Sequence, residues 1–175
     1  ALRAFSEAAR LPVFANGLGR GLLPADHELA FSRVRGAAFA EADLVVVAGA
    51  PLDFRLGFGR FGDARVVHLA DSTAGVARRV DLAAGAAGDL ARMLAALADA
   101  TRVSPSSRER GGWVTRLREE EDARRAREVD DLDADASPIR PTRVYGELRR
   151  RLDRDAIVIG DGGDFVSYAG KYVDT

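Results

Sequence analysis

No cysteine occurs in the 175 residues. That excludes disulfides, thiolate metal sites and a cysteine nucleophile, and it fits a cytoplasmic setting. Histidine is scarce as well: only His27 and His68 are present, and neither has a partner at the spacings of helical metal sites. His68 falls in an apolar segment and reads as a core histidine with its hydrogen bonds satisfied. Long hydrophobic runs are missing. The longest, near Leu44 to Pro51, is far too short to cross a bilayer, and the amino terminus has no basic segment followed by an apolar run. Charge of one sign is missing too. The formal net charge is -1, so the chain offers no field that would gather nucleic acid or anionic lipid. A G-x-S-x-G elbow is also absent, which leaves no local signature of a serine hydrolase. Lysine is nearly absent: of 26 basic residues only Lys171 is a lysine, a bias of codon usage rather than of phosphate chemistry.

What is present is an ordinary globular composition, 47% hydrophobic and 30% charged. Ala1 to Arg10 is already helical in pattern, with Leu2, Phe5 and Ala9 at spacings of three and four, so the natural protein is expected to begin earlier. Leu11 to Ala15 reads as a short buried strand, and Asn16 to Gly21 as a glycine-rich turn after it. Phe31 to Glu41 returns to helical spacing. Leu44 to Ala48 is a continuous apolar run suited to a strand buried on both faces, and Arg65 to Leu69 is a second one. Leu90, Met93, Leu94 and Leu97 mark an amphipathic helix capped near Asp89. Helices alternating with such strands predict an α/β fold, a Rossmann-like parallel sheet flanked by helices.

From Ala100 to Pro141 the apolar content falls, and a linker with one charged helix is expected. Ser106 and Glu109 have capping-box spacing for it, and Glu119 to Asp122 followed by Arg124 and Arg125 reads as a solvated helix face. A new unit then starts. Thr142 is placed to cap a helix striped by Val144, Tyr145, Leu148 and Leu152. Asp155 to Ile159 reads as a buried strand, Gly160 to Asp164 as a turn, and Phe165 to Tyr172 as a helix. The expected domains are therefore 1–100, a linker 101–139, and an incomplete second α/β unit 140–175, which cannot form a core alone.

Turns at the carboxyl ends of parallel strands are where such sheets bind ligands. Gly17 to Gly21 does not match G-x-G-x-x-G, and a plain turn is the better reading; Gly160 to Asp164 sits between strand and helix and suits phosphate contact. Asp53 and Arg55 follow the first long strand, as ligand contacts or as a local ion pair. Asp71 follows the second, placed either to accept from a ribose or to cap a turn. Gly160-Asp161-Gly162 is not read as the opening of a magnesium and diphosphate motif, because no asparagine-rich turn follows it in the sequence.

The order of these segments resembles a known family. Leu11-Pro12-Val13-Phe14, Gly17 to Pro24 and above all Ala42 to Arg55 are similar to the central domain of acetolactate synthase-like, thiamine-diphosphate-dependent enzymes, and Tyr145 to Tyr172 resembles the start of their cofactor domain. The resemblance implies decarboxylation of a 2-keto acid such as pyruvate, followed by carboligation. It also implies a homodimer or homotetramer, and a catalytic glutamate and magnesium ligands that lie outside this chain. By the same resemblance Gly162, Gly163, Asp164 and Phe165 meet the diphosphate of thiamine diphosphate, although the family often has glutamine where Asp164 stands. Asp53, Arg55, Asp71, Gly88 and Asp89 are the corresponding positions for FAD in a structural role. Relatives with another nucleotide or none, a related decarboxylase or aldehyde ligase, and a non-catalytic nucleotide-binding domain are the alternatives. As an isolated piece the chain is expected to be inactive.

Overall fold

The computed structural model describes residues 1–102 and 107–173, with the backbone alone described at 107–109 and 164. Its centre is a parallel sheet in the order β1 (Leu44–Ala48), β2 (Arg65–Ala70), β3 (Ala84–Ala87). Val45 pairs with Val66 and Val47 with His68, and the register continues through Leu69 to Ala86. The strands are continuous apolar runs because both faces are covered. On one face Leu69, Val46 and Val67 pack against Phe5 and Ala9 of α1 (Leu2–Ala9) and Leu94 and Ala98 of α3 (Leu90–Arg102). On the other, Val45, Val47 and Val66 meet Phe61, Phe39 and Leu52. The expected α/β architecture is therefore present. β3 was not foreseen, since its Ala-Gly-Ala-Ala composition carries no β-branched signal and all four residues are exposed.

Several local expectations are corrected. Leu11 to Ala15 is not a strand: only Val13 forms a parallel bridge, to Ala30, with its N–H donating to Leu29 C=O at 2.7 Å. Pro12 lacks a donor, and the segment packs sideways into a cluster with Leu29, Phe31 and Val34 beneath a later helix. The helix expected from Phe31 begins only at Arg35, as α2 (Arg35–Glu41), because the N–H groups of residues 32–34 bond to a carboxylate from elsewhere.

The charged helix is α4 (Ser107–Arg127), and a short α5 (Val129–Asp133) follows it. The capping-box pairing of Ser106 with Glu109 lies outside the described residues. α4 is no simple solvated face. Val114 and Leu117 are buried in the Leu29 and Phe31 cluster, and Glu121 is 0% exposed.

In the last unit, α6 (Pro141–Arg149) is preceded by Arg140 and not capped by Thr142. Pro141 occupies the first helical turn, where its missing N–H costs nothing and its fixed φ is already helical. α7 (Asp164–Tyr172) packs on α6 through Tyr145, Tyr168 and Tyr172. Asp155 to Ile159 is not a buried strand: it is unpaired, and Ile157 and Ile159 are 92% and 91% exposed. No strand among the described residues lies beside these β-branched side chains to cover them. No helix among the described residues is long and apolar enough to cross a membrane.

Candidate functional site

The parallel register brings the residues after the three strands to one edge of the sheet. After β1 comes Gly49, in the left-handed region at φ 67, where a Cβ would lie 2.9 Å from Leu90 Cδ1. The chain then enters a 3-10 segment, Phe54–Gly59, capped by the Asp53 side chain, which accepts from Arg55 N–H at 2.9 Å. The Arg55 guanidinium closes back on the same carboxylate, Nη2 to Oδ2 at 2.5 Å. That hydrogen bond holds the Asp53 carboxyl below its ordinary range and the Arg55 guanidinium above its own. Asp53 and Arg55 are thus a local pair that shapes their loop. Phe54 and Phe58 project from the loop, largely exposed.

Asp71 follows β2 and is exposed. Beyond β3, Gly88 has φ 147 with open space around it, and Asp89 caps α3 by accepting from Arg92 N–H at 3.0 Å. The cap was legible in the sequence. His68 ties this edge together from beneath, buried at 1% exposure. Its Nε2 lies 3.0 Å from Ala50 C=O, and its Nδ1 accepts from Ala77 N–H at 3.0 Å. A carbonyl can only accept and an amide N–H only donate, so the ring is held as the Nε2–H tautomer. His68→Leu leaves both backbone groups unpaired. It is expected to cost about 1–2 kcal/mol in urea unfolding and to raise hydrogen exchange at Ala77; an unchanged midpoint would count against this role.

The second predicted group lies on the other unit. Asp161 Oδ1 accepts from Gly162 N–H at 2.7 Å, and Gly163, at φ 84 and ψ -178, leads into α7 without a side-chain cap. The carbonyl of Phe165 accepts from the Tyr145 hydroxyl at 2.8 Å, and the two rings stand 5.2 Å apart, so α6 fixes the first turn of α7. The Asp164 side chain lies outside the described residues. The structure gathers Gly162, Gly163 and Phe165 at one turn, and Asp53, Arg55, Asp71, Gly88 and Asp89 along one sheet edge. No hydrogen bond or ion pair among the described residues joins the two groups. Nor do the described residues contain a group of three or more His, Asp or Glu able to hold a metal ion.

What joins the two units is a buried charge cluster that the sequence did not reveal. Glu121 of α4 accepts from the N–H groups of Ser32, Arg33 and Val34 and from the Ser32 hydroxyl, and Arg125 reaches it at 3.3 Å. Arg33, its side chain 2% exposed, pairs with Glu128 at 3.1 Å, and Glu128 also takes Lys171 of α7 at 2.6 Å. Arg118 donates to the carbonyls of Glu28 and Ala30 and covers the Phe31 ring at 4.2 Å. Burial pushes the Glu121 carboxyl up, but its hydrogen bonds outweigh that and hold it below the usual range. The Lys171 ammonium is drawn down by burial and raised further by its bonds to Glu128 and Tyr172, with a net rise. A run of acids followed by arginines looks the same whether one member is buried or none is.

Comparison with known proteins adds a second line of evidence. The family described as thiamine pyrophosphate enzyme, central domain, matches residues 1–97. The whole chain is 42% identical to an acetolactate synthase large subunit of Mycobacterium tuberculosis and equally to a probable acetolactate synthase of Mycobacterium bovis, in each case covering 31% of the relative. It is 31% identical to 2-hydroxyacyl-CoA lyase 2 of Caenorhabditis elegans over 95% of this chain and 27% of that protein. The chain thus spans about a third of the length of these relatives.

Proposed function

The chain belongs to the thiamine pyrophosphate enzyme family, and from that premise we propose that it supplies the central domain and the opening of the cofactor domain to an acetolactate synthase-like enzyme. The reaction is decarboxylation of a 2-keto acid such as pyruvate and joining of the remaining acyl unit to a second carbonyl. The observation that carries this reading is the 42% identity to acetolactate synthases along the whole chain, running past the central domain into α6 and α7. In this reading residues 1–100 are the central domain, 101–139 the linker and 140–175 the start of the next domain. The parent enzyme is a cytoplasmic homodimer or homotetramer.

Bound thiamine diphosphate supplies the electron sink for loss of carbon dioxide, and the protein supplies orientation. The turn before α7 suits its diphosphate: Gly162 and Gly163 leave the backbone uncovered, and the uncapped first-turn N–H groups of α7 favour an anion. Tyr145 holds that turn through Phe165. Asp164 has the same sign as the diphosphate and must turn away from it or share a cation with it. Magnesium finds no matching donor set among the described residues. At the sheet edge, the open Gly88 allows close approach of a nucleotide such as FAD, flanked by Asp53, Arg55, Asp71 and Asp89, while Gly49 makes room for the Leu90 side chain. Asp53, Arg55 and Asp89 are already engaged within the chain, so they shape the edge more than they offer free donors.

A second reading keeps the cofactor and changes the substrate to a 2-hydroxyacyl-CoA, favoured by the C. elegans relative and by a human 2-hydroxyacyl-CoA lyase 2 at 29% identity. Assay of the full-length protein with thiamine diphosphate and magnesium separates the two. Acetolactate from pyruvate is the expected product; cleavage of a 2-hydroxyacyl-CoA without it would transfer the assignment to the second reading. Gly163→Ala forces a side chain into a backbone region open almost only to glycine, and should raise the thiamine diphosphate needed for half-activity about tenfold. The isolated 175-residue chain should form no acetolactate.

A further inference from the structure

α4 ends at Arg127 and α5 begins at Val129, so Glu128 is the single residue between a helix packed on the first unit and a helix packed on α6 and α7. Its carboxylate is 13% exposed, and the two oxygens are used in different directions. Oε2 accepts from Arg33 Nε–H at 3.1 Å, on the segment ahead of α2, whose backbone N–H is itself held by Glu121. Oε1 takes the Lys171 ammonium at 2.6 Å, in the last turn of α7. The buried Tyr172 ring lies beside both cations, with Arg33 Cζ 5.8 Å and Lys171 Nζ 4.9 Å from its centre. One carboxylate at the joint thus ties α7 to the first unit. A second ion pair between the units, Arg154 with Asp26, is exposed on both sides and adds little.

The consequence is felt at the other end of α7. Its nine residues form a rod about 12 Å long, with Lys171 in the last turn and the Gly162 and Gly163 turn before the first. Tyr145 fixes that first turn to α6, but α5, α6 and α7 share the cluster of Leu132, Tyr145 and Tyr172 and so move together. Where they stand against the first unit is set at the joint. A turn that can swing must be ordered when it binds, and that ordering subtracts from affinity.

We propose that Glu128 and Lys171 are positioning residues for the cofactor: their ion pair clamps the α5 to α7 unit to the first unit and so holds the Gly162 and Gly163 turn in place to receive the diphosphate. The inference rests on the reading of that turn as the diphosphate site. Both residues act through α7 and not by contact with the cofactor. Linkage makes the effect mutual, so thiamine diphosphate bound at the turn tightens the clamp.

Lys171 is the residue to change, because its side chain is 44% exposed and Glu128 keeps Arg33 without it, so no buried charge loses its last partner. Isothermal titration of thiamine diphosphate into the full-length protein, with magnesium saturating, measures affinity independently of any substrate. Lys171→Met should raise the Kd about fourfold, and Lys171→Arg should restore most of the loss. The melting temperature without cofactor, and kcat at saturating cofactor, should stay at the parent's values. Hydrogen exchange gives the reciprocal readout. In the parent, thiamine diphosphate should slow the amides of Val129 to Leu132 and of the last turn of α7; in Lys171→Met the slowing should stop at the first turn of α7. An unchanged Kd in Lys171→Met, or a variant that only melts earlier, would overturn the positioning role and leave the diphosphate reading standing. A parent that binds no thiamine diphosphate would overturn that reading, and the inference with it.

Discussion

Replacing Glu121 with alanine is expected to destabilise the chain by about 3–5 kcal/mol, because one partner is removed from a buried ionic cluster. The carboxylate is 0% exposed and satisfies the N–H groups of Ser32, Arg33 and Val34. It therefore caps the approach to α2 from a helix some ninety positions later in the chain. Without it those donors are orphaned and the Arg33 guanidinium, 2% exposed, keeps Glu128 as its ion-pair partner and the Ser32 hydroxyl as an acceptor. Glu121→Gln retains one acceptor oxygen and should lose less, about 2 kcal/mol. The pH dependence has a definite sign. The folded-state pKa of Glu121 lies below the ordinary glutamate range, so its contribution is present in full above the unfolded value and is lost as pH falls through the folded one. Urea midpoints measured from neutral pH down into that range should fall more steeply for the parent than for Glu121→Gln. Equal slopes, or an alanine variant as stable as the parent, would refute the role assigned to this carboxylate.

The β1 and β2 strands, α1 and α3 were legible because each carries its own hydrophobic pattern and buries the face which that pattern marks, whichever segment covers it. The Asp89 cap and the satisfied His68 were legible for the same reason, as the partners are local or the environment is set by the strand. Failures fall where a distant segment decides. Residues 31–34 have helical spacing, but Glu121 takes their N–H groups and postpones α2 to Arg35. Asp155 to Ile159 has the composition of a buried strand, but burial requires a neighbour, and no described segment pairs with it. β3 pairs through its backbone alone, leaving no side-chain pattern to read. Asp53 and Arg55 were foreseen at the sheet edge as either ligand contacts or a local pair, and the geometry places them in a pair. A sequence window shows the types in the Glu119 to Asp122 run. Which of them points inward depends on how α4 lies over Phe31 and Val34.

Gly146→Ala should lower the stability of the α5 to α7 unit by about 2–3 kcal/mol, although alanine is the better helix former by up to about 1 kcal/mol. Gly146 is buried in α6, and a Cβ there would overlap the carbonyl oxygen of Leu132 and stand 2.9 Å from its carbonyl carbon. The obstacle is backbone, so no rotamer change relieves it, and α5 and α6 must separate. Separation would uncover Leu132, Tyr145 and Tyr172, the buried residues that hold α7. It would also slacken the Tyr145 hydroxyl bond to Phe165 C=O, which fixes the turn at Gly162 and Gly163. Hydrogen exchange should therefore accelerate across α5, α6 and α7 while the amides of β1 and β2 keep their protection. In the full-length protein the same substitution should weaken thiamine diphosphate binding without touching a residue of the turn. The sign decides the matter: a stabilised α6, as helix propensity alone would give, means that Gly146 is a solvent-side accident and that the close approach of α5 does not exist.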